Sequence, residues 1–222
     1  MKTMILFPGN SGIEMKRKGF LLFLLAALML FASCSRTNVR FTVSEDGYRF
    51  TDRETGAVYT ALSPAFEPAK GGNERGRCFS GETELTLREI PQLSPDVWLA
   101  DDEKTLYFSG DPLPDPAAWT VSAVIFCEED AISIERSRLT RAENGEALSA
   151  FVSAWFTGEG IEPPLTAPTF FRTAKLVFAE VPNIYYCISY YRYEDGSAAL
   201  YERFSGRAVM LPEGADALFE VI

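Results

Sequence analysis

Histidine is absent from all 222 residues. That removes the side chain that titrates nearest neutral pH and the commonest metal ligand. Serine–histidine triads, HExxH zinc sites and Cys/His zinc fingers are thereby excluded. Lysine is scarce as well. After Cys34 only Lys70, Lys104 and Lys175 occur, and none stands three residues after a serine, so a Ser-x-x-Lys nucleophile is excluded. No two cysteines have CxxC spacing, which argues against a zinc ribbon or a thioredoxin-type redox site. The stretch Gly71-Gly72-Asn73-Glu74-Arg75-Gly76 is glycine-rich but lacks the lysine of a phosphate loop. Neither a cofactor nor a resident metal is expected from these patterns.

A basic surplus is also missing. Residues 34–222 hold 17 Lys and Arg against 30 Asp and Glu, a net charge of −13. Such a body repels phosphate backbones, so nucleic acid is not an expected partner. It repels anionic lipid head groups too, and charge alone would not hold it on a membrane. Any attachment to a bilayer needs an apolar anchor.

The longest apolar run, Gly19–Ser33, has 15 uncharged residues. As a helix it would reach roughly 22 Å, short of the ~30 Å hydrocarbon core. It follows Met15-Lys16-Arg17-Lys18 and ends in small residues before Cys34, the layout of a secretory signal peptide. Phe31-Ala32-Ser33-Cys34 resembles the lipobox of bacterial lipoproteins, with Phe31 standing where the pattern has an aliphatic residue. The resemblance covers residues 15–34 only. It implies cleavage before Cys34, a diacylglyceryl group on that sulfur, and an extracytoplasmic protein held at the cell membrane or outer surface. Two acyl chains give a stable anchor where one gives reversible binding. Residues 1–14 put an acid and a Pro-Gly turn ahead of the basic region, and translation is expected to start at Met15. Residues 34–38 read as a short lipidated tether.

Residues 39–222 read as a single α+β domain, mainly antiparallel sheet, with a subdivision near 140–168 as the alternative. Period-2 alternation predicts strands at 39–44, 48–52, 57–62, 83–90, 96–100, 104–109, 119–127 and 131–136. A C-terminal meander follows at 174–180, 184–193, 197–203 and 207–211, and 213–220 reads as a short helix. Residues 63–82, rich in Pro, Gly and charge, read as a long surface loop. One main helix is predicted near 144–157, because Leu148, Phe151, Val152 and Trp155 form one apolar stripe. Thr140 with Glu143 has capping-box spacing, Asn144 is the alternative cap, and Gly158 is the expected end. Asp52-Arg53-Glu54-Thr55-Gly56 echoes Glu202-Arg203-Phe204-Ser205-Gly206, read as one turn chemistry used twice.

With Cys34 acylated, Cys78, Cys127 and Cys187 remain. Three reduced, buried thiols are the simpler expectation, and Cys127 with Cys187 is the pair if one disulfide forms. Tyrosine is dense at 185–193. Alternation puts Tyr186 and Tyr190 on one face and Tyr185, Tyr191 and Tyr193 on the other. Core packing accounts for such residues, but an exposed tyrosine face also suits a sugar ring or a protein partner. Tyr185, Tyr191 and Tyr193 are therefore the candidate binding residues. Asp101-Asp102-Glu103 and Glu128-Glu129-Asp130 fall at predicted turns. Paired carboxylates can hydrolyse glycosides without histidine when they face each other across a cleft. Neither cluster has the ligand spacing of an EF-hand.

The expected function is that of a lipid-anchored envelope protein that binds or supports a glycan or protein partner without catalysis. The alternative is a carboxylate-dependent enzyme acting on envelope glycans.

Overall fold

Among the described residues, strand-period alternation becomes two antiparallel sheets, with one α-helix beside them. The computed structural model describes residues 39–127, 140–142, 145–163, 166–213 and 218. Residues 40–222 form one compact unit. Its elements in chain order are β1 (Phe41–Val43), β2 (Arg49–Asp52), β3 (Val58–Ala61), β4 (Phe66–Pro68), β5 (Glu74–Ser80), β6 (Thr83–Glu89), β7 (Trp98–Asp101) and β8 (Leu106–Phe108). After a short 3-10 turn (Pro116–Ala118) come β9 (Val121–Cys127), β10 (Thr140–Ala142), α1 (Glu146–Thr157), β11 (Gly160–Ile161), β12 (Phe170–Phe178), β13 (Ile184–Arg192), β14 (Ala198–Tyr201) and β15 (Ala208–Met210).

The first sheet runs β1-β2-β3-β8-β7-β6-β5. It curls until its two edge strands meet. A Cβ at Gly76 on β5 would stand 2.7 Å from the Arg40 Cβ and 3.0 Å from the Phe41 ring. Only glycine lets the backbones approach so closely. The curl encloses its own apolar cluster, which includes Phe41, Phe50, Tyr59, Leu87, Leu99 and Tyr107.

The second sheet runs β10-β9-β12-β13-β14-β15-β11, and β4 pairs with β13 beside β14. One of its faces packs on the outer face of the first sheet and on α1. Trp98 and Leu106 from the first sheet, Phe126, Leu176 and Tyr190 from the second, and Phe151 and Trp155 from α1 share this core. Trp119 bridges the layers, 6.1 Å from the Trp98 ring, 6.1 Å from Phe66 and 5.0 Å from Phe178.

The helix buries Leu148, Phe151, Ala154 and Trp155, close to the predicted stripe, while Val152 is only partly buried. The N-cap is Gly145, without a side-chain cap, and Thr140 belongs to β10, while Glu143, its partner in the expected capping box, lies outside the described residues. Asn144, the strand predicted at 131–136 and the Glu128-Glu129-Asp130 turn lie outside the described residues, as does most of 213–220. Gly158 ends the helix as expected. The reason is close approach rather than positive φ: a Cβ there would meet the Ala154 carbonyl oxygen. Arg207 then caps that end, donating to the carbonyls of Trp155 (2.9 Å) and Gly158 (3.0 Å).

The predicted loop at 63–82 is corrected. It contains β4, β5 and the turn that joins β5 to β6, and the only buried apolar side chain on β5 is Cys78. The echoed turns are the same structure. Asp52 and Glu202, 0% and 2% exposed, accept backbone N–H bonds within their own turns, and Gly56 and Gly206 take φ of 75° and 73°. The likeness extends one turn upstream. Asp46 and Asp195 accept from the N–H two residues on, each followed by a positive-φ glycine, Gly47 or Gly196. Strands β1–β3 and β13–β15 are thus two copies of one meander.

The closure at Gly76 carries a testable consequence. Gly76→Ala should destabilise the protein by about 1–3 kcal/mol through overpacking against β1. A lowered urea midpoint with an unchanged slope is expected, and an unchanged midpoint would show that the edge strands do not meet there.

Candidate functional site

Strand β13 is interior to its sheet, and its two faces serve different ends. Even-numbered residues Ile184, Tyr186, Ile188 and Tyr190 enter the core, whereas the odd-numbered ones are half-buried. The odd face is built from rows that the pairing register aligns. Phe171, Tyr191 and Ala199 form one row, and Thr173, Ser189 and Tyr201 the next. Then come Lys175 and Cys187, and then Val177 and Tyr185, with Glu67 of β4 opposite Tyr185. The face therefore grades from aromatic through hydroxyl to charged.

A cavity of about 740 Å³ lies over the middle of this face. Its walls include Phe171, Thr173, Ser189 and Tyr201 on one side and the β7–β8 turn, Asp102–Thr105, on the other. At its floor Lys175, 2% exposed, donates to Glu67 Oε2 at 2.8 Å. Lys104 Nζ stands 3.7 Å from the other Glu67 oxygen. The Cys187 thiol donates to Glu67 Oε2 at 3.4 Å.

The electrostatics of this cluster fix its chemistry. Burial opposes the Lys175 charge, but the Glu67 hydrogen bond and negative charge outweigh it and hold the lysine above its ordinary value. Burial, followed by the Glu67 charge, pushes the Cys187 thiol far up. At neutral pH the amine thus has no lone pair and the sulfur is protonated. Neither is an activated nucleophile. What the cluster offers a ligand is hydrogen-bond donors.

A smaller recess of about 260 Å³ adjoins, lined by Pro163, Thr166, Pro168, Tyr191, Tyr193, Ala199, Tyr201 and Ala208. Tyr201 walls both spaces, and its ring stacks on Tyr191 with centroids 6.0 Å apart. The three candidate tyrosines do not form one site. Tyr191 and Tyr193 line the recess. Tyr185, six residues from Tyr191 and so roughly 20 Å along the strand, packs against Ala123, Ile125 and Val177. Tyr193 lies past the end of β13. Its N–H closes the following turn on the Ser197 carbonyl, and its ring is 8% exposed at the recess.

Of the Asp101-Asp102-Glu103 cluster, Asp101 is buried and accepts from the Tyr107 hydroxyl and the Thr105 N–H, both at 2.8 Å. Asp102 pairs with Arg88, and Glu103 stands on the cavity rim. Among the described residues no group of three His, Cys, Asp or Glu could hold a metal, and no helix is long and apolar enough to cross a membrane.

The cysteines Cys78, Cys127 and Cys187 are free. Cys127 pairs with Thr173 and Cys187 with Lys175 on opposite sides of β12, so two strand spacings, roughly 10 Å, separate them. That exceeds disulfide reach, so the simpler expectation of free thiols holds and the alternative Cys127–Cys187 pair does not form. The sequence reading also missed Lys175 and Glu67. The available signal was a lysine inside the otherwise apolar run Ala174–Phe178.

Two predictions follow from this chemistry. Glu67→Leu leaves the Lys175 ammonium unpaired and should cost about 3–5 kcal/mol in urea unfolding, whereas adding Lys175→Met should recover most of the loss. Because Lys175 titrates above its ordinary 10.5 when folded, its stabilisation is present in full below that pH and fades as pH climbs through the folded value. The stability of wild type relative to the double variant should therefore fall above pH 10.5, and a constant difference would refute the assignment. Alkylation at pH 8 with peptide mapping should label Cys78, whose thiol burial pushes up to about 11, and Cys127 and Cys187 far more slowly in the native chain than in guanidinium. A disulfide-linked peptide pair would contradict the free-thiol state. Compared with protein-family models, with curated proteins and with solved structures, the chain matches none.

Proposed function

We propose that this chain is an extracytoplasmic lipoprotein, anchored through diacylglyceryl-Cys34, whose body binds an envelope glycan on the odd face of β13. The leader supports the anchor: three bases, an apolar run too short to span, and small residues before Cys34. The carrying observation for binding is the stacked pair Tyr191–Tyr201 beside a row of hydroxyls, all on one sheet face. Aromatic faces take the apolar face of a sugar ring, and neighbouring hydroxyls take its polar edge. The hydroxyl groups of Thr173, Ser189 and Tyr201 have no hydrogen-bond partner among the described residues, so they are free to meet a ligand. The carboxylates along the cavity favour recognition over hydrolysis, because Glu67 faces two ammonium groups, Asp102 pairs with Arg88, and Glu202 accepts from its own turn.

The intact mass of membrane-extracted protein tests the anchor. A chain starting at Cys34 with an added diacylglyceryl mass is expected, and Cys34→Ala should remove that mass. An unmodified chain cut elsewhere and found in the medium overturns it. Sedimentation of the extracted protein with purified cell-wall glycan tests the binding face. Tyr191→Ala combined with Tyr201→Ala should reduce retention about tenfold, given ~0.5–1.5 kcal/mol for each aromatic contact. Retention equal to wild type, with an unchanged melting temperature, overturns this face as the site.

A further inference from the structure

Lysine placement in this chain is selective. Residues 35–222 contain fourteen arginines and three lysines, and two of those lysines meet at one carboxylate, Glu67. Arginine makes the other ion pairs described, at Asp52, Glu54, Asp46, Glu89, Asp96, Glu74, Glu84 and Asp102. The cavity floor is thus chemically distinct from the rest of the surface.

Three features show that the floor is built to receive an acceptor. The first is donor capacity. An ammonium has three N–H donors, and Lys175 gives one to Glu67 and none to any other described acceptor, although it is 2% exposed. Buried donors normally find partners, so an uncommitted pair beside a cavity is the place for a ligand oxygen. The second is the backbone of Lys104. Hairpin turns elsewhere place glycine at positive φ, at Gly47, Gly56, Gly81, Gly196 and Gly206, whereas the β7–β8 turn places Lys104 there, at φ 70°. A side chain is disfavoured in that conformation, and here it carries an ammonium group to the Glu67 oxygen that Lys175 does not take. The third is the grading of the wall. From the ammonium groups, the face passes to the hydroxyls of Thr173, Ser189 and Tyr201 and then to the Phe171 ring, with Tyr191 beside it in the adjoining recess.

The other charges on the rim do not compete for the role. Asp102 is paired with Arg88, Glu202 is held by the N–H groups of its turn, and Glu103 and Arg203 are of opposite sign.

We propose that the cavity seats one carboxylate-bearing sugar unit of a glycan, its carboxylate against Lys175 and Lys104 and its ring hydroxyls against Thr173, Ser189 and Tyr201. This assignment rests on the glycan-binding reading and adds the chemical class of the ligand. A volume of about 740 Å³ falls in the range of small-ligand sites and accommodates a sugar ring with its acid group. The acid group supplies the acceptor that Lys175 lacks. A neutral sugar would reach the aromatic and hydroxyl rows and leave the two ammonium groups with Glu67 as their one carboxylate partner.

The experiment uses the detergent-extracted full chain and two probes, a glucuronate-containing tetrasaccharide and the same tetrasaccharide with its carboxylates reduced to alcohols, with affinities read by calorimetry. The acidic probe should bind at least about tenfold more tightly than the reduced one, the scale of one charge-assisted hydrogen bond. Lys104→Ala, in a partly exposed turn, should abolish that preference, Lys104→Arg should keep most of it, and Tyr191→Ala should weaken both probes alike. Lys175→Met should also abolish the preference, and its melting curve checks that the fold is retained. Equal affinity of wild type for both probes overturns the acid seat and leaves the glycan reading standing. Binding of neither probe overturns both. An undiminished preference in Lys104→Ala overturns the assignment of the carboxylate to this pair of lysines.

Discussion

Side-chain parity along β13 is the constraint on which the rest depends. Its partner β12 holds it over eight consecutive residue pairs, and its other edge is shared by β4 and β14. Because both faces of an interior strand are in use, a slip of one residue would exchange them. Tyr186 and Tyr190 would leave the core, and Cys187, Ser189 and Tyr191 would enter it. No such register keeps both the packing and the hydroxyl row. The divided edge matters equally. Strand β4 pairs with 184–186 and β14 with 189–192, so neither covers Cys187 and Ile188. The Cys187 N–H is taken by the Ala65 carbonyl instead, and the cavity lies over this interval.

A buried ion pair is a poor device for stability, since desolvation offsets most of the Coulomb gain. Leucine and methionine in place of Glu67 and Lys175 would fill the same space at little cost. What the pair does provide is a fixed ammonium at a defined depth. Glu67 orients it from one side, the Tyr185 ring lies 5.9 Å from it, and the aligned strands hold both. The surrounding body carries a net charge of −13, so its long-range field does not draw anions in. In the proposed binding mode, an acidic group would be recognised by cations placed at contact distance, and two lysines at one point would supply that local field.

Sequence periodicity reveals an element when its buried positions are apolar and regularly spaced. Strands such as β9 and β13, and the stripe of α1, meet that condition. Strand β5 does not. Its buried positions are Gly76 and Cys78, and the glycine is required by Arg40 and Phe41, more than thirty residues upstream. Strand β4 is three residues long and ends in Pro68, so alternation has no room to register. Both fall in a stretch whose glycine, proline and charge imitate a loop. Glu67 sits in that stretch and meets Lys175 across 108 residues, which is why the central pair of the site was invisible in the sequence. Tyr193 shows the converse limit. Alternation assigns a face but not a depth: Tyr193 joins Tyr191 at the recess as its parity predicts, yet it is only 8% exposed.

The two meanders separate what is structural in this chain from what is particular to the site. Strands β1–β3 and β13–β15 share an Asp-Gly turn and an acid-Arg-x-hydroxyl-Gly turn, with matching backbone bonds. In the first copy the inward acid, Asp52, is additionally gripped by Arg40 at 2.6 Å, so that turn is sealed at the edge where the curled sheet meets itself. In the second copy Glu202 is satisfied by its own backbone, and Arg203 and Phe204 are left on the cavity rim. The same turn thus closes one sheet and opens the mouth of a site in the other. The difference lies in the neighbour each copy meets: β5 at the first, and at the second the divided edge of β13. A shared turn therefore predicts no shared ligand, and the proposed binding chemistry rests on the rows of β12, β13 and β14 that only the second sheet contains.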